Sequence, residues 1–119
     1  HPSVVKAKER DVFQVFLGNV KSRTKGNVVP QKSDCFEFLA NLSESVKFCH
    51  IDAAHDYESV KRTIDMLKPH LLKGAVLCGD DFVSAGSNRS DLNGGVERAV
   101  RECCPGFYSV NNFWAWVNK

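Results

Sequence analysis

Apolar residues recur along this chain first at helical spacing and then in short continuous runs. Val12, Val15, Phe16 and Val20 follow Lys6, Lys8, Glu9 and Arg10, which predicts an amphipathic helix over residues 5–20. Gly18-Asn19 is expected to weaken its last turn. Asn27-Val28-Val29-Pro30-Gln31 is rich in β-branched residues, and the missing amide of Pro30 predicts a strand at a sheet edge. Ser33 or Asp34 can then cap a helix over residues 35–42. Residues 46–51 read as a strand that ends at Asp52. Val60, Ile64, Leu67 and Leu71 form an inward stripe that predicts a helix from near Asp56, kinked or ended by Pro69. Lys73-Gly74 reads as its stop signal.

Residues 75–79 are continuously apolar, as in a strand covered on both faces. Residues 83–93 are rich in Ser, Gly and Asn and predict a mobile loop. Gly94-Gly95 opens a helix through Cys103, which Pro105-Gly106 breaks. The aromatic tail predicts an antiparallel pair, residues 107–110 and 113–117, turning at Asn111-Asn112. Strands alternating with helices of about 10–15 residues imply an α/β domain with right-handed crossovers. The expected sheet is mostly parallel, with about 4–5 strands and the C-terminal antiparallel pair.

At 119 residues the chain is read as a single domain, residues 1–119, with no repeat or linker. A 43% hydrophobic and 25% charged composition fits a soluble globular protein. Net charge is +2, too small to suggest nucleic acid or an anionic membrane as partner. No apolar run reaches the ~20 residues of a membrane span. His1-Pro2-Ser3 has no apolar signal core, and it lacks an initiator Met, so an upstream region stays open. The cysteines Cys35, Cys49, Cys78, Cys103 and Cys104 form no CxxC pair, and reduced thiols in a cytoplasm are expected.

Ligands of open parallel sheets bind beyond the carboxyl ends of the strands. Asp34, Asp52 and Asp80-Asp81 each follow a predicted strand. If the strands ending at Asp52 and Asp80 are neighbours, their carboxylates share one crevice, and close carboxylates call for a cation or a proton. All-oxygen ligands favour Mg²⁺ over Zn²⁺. The plainer role for Asp56 or Asp81 is a helix cap. His55, on the loop, is the candidate general base, whereas His50 is expected to be packed.

Three blocks now carry a resemblance. They are His50-Ile51-Asp52-Ala53-Ala54-His55-Asp56-Tyr57-Glu58, Leu67-Lys68-Pro69 through Gly79-Asp80-Asp81-Phe82, and Gly95-Val96-Glu97-Arg98-Ala99-Val100. In order and spacing they resemble the second half of class I S-adenosylmethionine-dependent methyltransferases, the macrocin-type sugar O-methyltransferases in particular. The resemblance implies a truncated Rossmann-like three-layer sandwich and methyl transfer to a small-molecule hydroxyl. It implies that Asp52, Asp80 and Asp81 hold a divalent ion, that Ser33, Asp34 and Asp52 face the S-adenosylmethionine cofactor, and that His55 and Asp52 serve catalysis.

The sequence departs from that family in three places. Asp52-Ala53 replaces Asp-Gly, Ala75 replaces the second Gly of a Gly-Gly turn, and no GxGxxG loop occurs, since Gly18 and Gly26 do not form one. In the full fold two further strands lie between the strand at Asn27 and the strand at Val46. An unfilled sheet centre exposes strand edges, so self-association into a homo-oligomer is expected. The rival expectations are a non-catalytic Rossmann-like module for oligomerisation or protein binding and, last, a metal-dependent hydrolase built on His50, Asp52, His55 and Asp56.

Overall fold

The computed structural model describes residues 12–52, 54–83 and 94–119, and these fall into two units, His1–Asp34 and Cys35–Lys119. In the first unit, helix α1 spans Val12–Arg23. It runs through Gly18-Asn19 and beyond its expected end, with Lys21 and Arg23 in the last turn where the helix dipole favours cations. The Thr24 hydroxyl donates to the Val20 carbonyl at 2.7 Å and closes that end. Residues 27–31 form no strand, contrary to the sequence expectation. Pro30 offers no amide, and Val29 is 74% exposed, so nothing rewards an extended pairing there. The predicted start of the first helix and the loop at residues 84–93 lie outside the described residues.

The second unit runs α2 (Cys35–Ala40), β1 (Val46–Ile51), α3 (Tyr57–Leu67), β2 (Leu71–Gly79), α4 (Gly95–Cys103), β3 (Tyr108–Val110) and β4 (Phe113–Val117). Asp56 is the N-cap of α3, its carboxylate accepting from the Ser59 amide at 3.0 Å. Val60, Ile64 and Leu67 are buried as the periodicity requires. Leu71 is not the last residue of that stripe but the first of β2. Pro69 ends the helix in a 3-10 turn, Lys68–His70, and the chain becomes extended at once. Lys73-Gly74 is therefore inside a strand and does not stop a helix. Gly74, at φ +86°, falls where the β1–β2 register slips, the conformation a bulge demands.

The described strands order as β1-β2-β4-β3. β1 and β2 are parallel; β2–β4 and β3–β4 are antiparallel, with Asn111 at φ +54° in the tight β3–β4 turn. Register and burial together show which face carries the core. Cys49, Ile51, Leu77, Gly79, Trp114 and Trp116 share one face through the pairs Cys49–Leu77, Ile51–Gly79, Leu77–Trp116 and Gly79–Trp114. Leu77, Trp114 and Trp116 join one buried cluster with Leu39 of α2, Ile64 of α3 and Val100 of α4, so these helices cover that face. Burying each such side chain contributes about 1.5–3 kcal/mol. The indole nitrogen of Trp116 donates to the Pro105 carbonyl at 2.9 Å, which ties β4 to the end of α4. No helix among the described residues is long and apolar enough to cross a membrane.

Candidate functional site

The carboxyl ends of β1 and β2 are adjacent. Ile51 pairs with Gly79, the last residue of each strand, so Asp52 and Asp80 leave the sheet side by side. Asp52, Asp80 and Asp81 line one small cleft together with Ala54, Val60 and Trp114. The shared crevice expected from the sequence exists. Its free volume is about 10 Å³, room for roughly one water.

Close backbone packing shapes the walls. A Cβ on Gly79 would lie 2.7 Å from the Ile51 carbonyl oxygen and 2.7 Å from the Trp114 indole nitrogen. A Cβ on Gly95 would lie 2.6 Å from the His55 carbonyl oxygen and 2.7 Å from the Tyr57 amide nitrogen. The start of α4 thus rests directly on the loop that leaves β1. Gly94, at φ +68°, makes that entry. Tyr57 adds a side-chain tie, its hydroxyl donating to the Glu102 carboxylate while the Arg98 guanidinium stacks 3.9 Å from its ring centre. The bond to Glu102, more than the accompanying desolvation, pushes the Tyr57 phenol up.

The Asp80 carboxylate accepts the Asp81 amide at 2.9 Å, and Asp81 adopts φ +62°. Asp52 and Asp80 are exposed, Asp81 half-buried. Among the described residues, no three His, Cys, Asp or Glu side chains form a group able to hold a metal ion. Asp52, Asp80 and Asp81 share a cleft, and among the described residues they are not gathered into such a group.

His55 is exposed and is not among the residues lining the cleft. His50 is exposed rather than packed, because β1 has no described strand on its outer side and His50 points away from the helices. Ser33 and Asp34 are exposed residues at the end of the first unit. A larger groove, about 330 Å³ and mainly apolar, runs beside α2 along β1, with Phe38, Leu42, Phe48 and Cys49 in its walls and Asp52 at its rim. Burial, then the neighbouring Cys78 and Cys35, push the Cys49 thiol up.

Trp114 as a cleft wall was not legible in the sequence, where the aromatic tail reads as core. Trp114 is core as well, at 1% exposed. The only available signal was Gly79, a small residue at the end of an apolar run, and it does not name its neighbour.

The family model for a methyltransferase domain matches residues 5–82, and the chain belongs to that family. It is a partial class I methyltransferase domain of truncated Rossmann-like fold. Among solved structures it is similar to apo CalS11, a TDP-rhamnose 3'-O-methyltransferase of calicheamicin biosynthesis, at TM-score 0.50 and 16% identity. The match covers 70% of this chain and 35% of that one, so the chain spans about a third of its relative. No curated protein matches the sequence.

Proposed function

We propose that this chain forms the acceptor-side part of an S-adenosylmethionine-dependent O-methyltransferase domain whose substrate is a small-molecule hydroxyl. The observation that carries this reading is the pairing of Ile51 with Gly79, which sets Asp52 and Asp80 at neighbouring strand ends. Acidic groups at such tips suit hydroxyl recognition, because carboxylates accept hydrogen bonds from a polyol at several angles. When bound, S-adenosylmethionine would supply an electrophilic methyl group, its S–CH3 bond breaking to leave S-adenosylhomocysteine. Asp52 and Asp80 would orient the acceptor, and His55 would take the hydroxyl proton as the oxygen attacks. Ser33 and Asp34 keep the role implied by resemblance, beside the cofactor's adenine. No step is assigned to Mg²⁺.

Calorimetry with S-adenosylmethionine and S-adenosylhomocysteine, each with and without Mg²⁺, tests the reading. Heat of binding that Asp34→Ala abolishes and Asp52→Asn spares supports it. No heat with either ligand refutes cofactor binding by this chain alone. Equal heats with and without Mg²⁺ retire the cation, and a Mg²⁺-dependent heat lost in Asp80→Asn restores it. The second reading, a non-catalytic protein-binding module, draws on the sheet face that leaves Phe48, Tyr108 and Phe113 exposed.

A further inference from the structure

Trp114 is only 1% exposed, yet its indole N–H donates to no acceptor among the described residues. The other tryptophan, Trp116, donates its N–H to the Pro105 carbonyl at 2.9 Å. Every side-chain nitrogen or oxygen sealed from solvent among the described residues has a hydrogen-bond partner. The Trp114 nitrogen is therefore not sealed, and the little surface this side chain keeps includes the N–H. That surface opens on the cleft, which Trp114 lines together with Asp52, Asp80 and Asp81. Gly79 permits the approach. A Cβ there would lie 2.7 Å from the indole nitrogen, so the N–H is drawn up to the last residue of β2, immediately before Asp80.

An indole N–H only donates, and ionised carboxylates only accept. A group seated between them must do both, offering a lone pair to Trp114 and a hydrogen to an aspartate. Water and alcohol hydroxyls have that double character. A protonated amine or a metal ion has no lone pair for the indole, and an anion meets three negative charges. The free volume of about 10 Å³ sets the size at a single oxygen.

We infer that the cleft is a one-oxygen subsite and that Trp114 is its specificity-determining residue. The indole N–H donates to a water in the free protein and to a hydroxyl of the methyl acceptor in the complex. A buried donor left without an acceptor is costly, so the free protein keeps its water. The hydroxyl as final occupant rests on the O-methyltransferase reading above; the water stands without it. Trp114 then selects alcohols over protonated amines, which the three aspartates alone would welcome equally.

The chain has two tryptophans, so a nitrogen-edited proton spectrum shows two indole N–H signals, which Trp116→Phe assigns. In the unsubstituted protein, rotating-frame Overhauser transfer from water should reach the Trp114 indole proton. It should be several-fold weaker at Trp116, whose N–H is held by Pro105. Adding ethylene glycol should replace the water peak at Trp114 with one from the methylene protons of the diol. Ethylammonium chloride and sodium acetate should leave the water peak unchanged. Absence of water transfer at Trp114 overturns the subsite. A water peak that the diol does not displace, or that ethylammonium removes as readily, overturns the selection of hydroxyls. Calorimetry without cofactor heat removes the methyl-transfer role and leaves the water at Trp114 in place, so the two proposals fail separately.

Discussion

Gly79 stands between the Ile51 carbonyl and the Trp114 indole, with too little space on either side for a methyl group. Three strands meet there, since Gly79 of β2 pairs with Ile51 of β1 and with Trp114 of β4. The cleft lined by Asp52 and Asp80 opens directly beyond this contact.

Gly79→Ala should therefore destabilise the protein by about 1–3 kcal/mol, the usual cost of overpacking a closely fitted site. The neighbour that must yield on one side is backbone, which cannot swing away. Urea unfolding should show a lower midpoint at unchanged slope. An unaltered midpoint would mean that β1 and β4 are not held at this distance.

Gly18→Ala should act in the opposite sense. Gly18 is inside α1, and a Cβ there meets nothing within 4 Å. Replacing glycine in a helix interior gains about 0.5–1 kcal/mol by removing freedom from the unfolded chain. Far-UV circular dichroism should report stronger helix with no loss elsewhere; weaker helix would disprove the placement.

Asp56→Ala should lower the melting temperature by a few degrees, because the Ser59 amide loses its acceptor. Hydrogen bonds from Ser59 hold the Asp56 carboxyl below its ordinary value of 3.8. A depressed carboxyl contributes stability that is present above the unfolded value and lost as pH falls through the folded one. The gap between wild type and Asp56→Ala should thus be full near neutrality and close below about pH 3.8. A gap that persists in stronger acid would show that the carboxylate is not its source.

Cys104 should be the last thiol to react. Its side chain is fully enclosed, and burial pushes the thiol up to about 12. At pH 8 roughly one molecule in ten thousand carries the thiolate that attacks an alkylating agent. Cys35, only half-buried, should be modified first, as peptide mass mapping after iodoacetamide would reveal. Early labelling of Cys104 in native protein would contradict its place in the core.

Local chemistry made much of the fold legible in advance. Asp56 as a cap, Val60, Ile64 and Leu67 as a stripe, and Asn111-Asn112 as a turn each depend on neighbours a few residues away. The strand at residues 27–31 failed for a non-local reason: two valines mark a strand only where another strand receives them, and Pro30 removes a donor as well. Lys73-Gly74 misled because glycine accepts φ +86° equally at a helix end or in a bulge. At the site, the shared cleft of Asp52, Asp80 and Asp81 followed from strand adjacency, which alternation of elements predicts. How these side chains are oriented did not, since it depends on local contacts beyond the strand ends, such as Asp80 accepting the Asp81 amide.

The strand order has one more implication, for how this sheet can be assembled. β4 follows β3 in the sequence, yet it lies between β2 and β3, and β3 pairs with it alone among the described strands. A ribosome still sheltering residues 113–117 in its exit tunnel would hold back the piece that joins the hairpin to the parallel pair. Maturation of this unit must then wait until those residues have emerged.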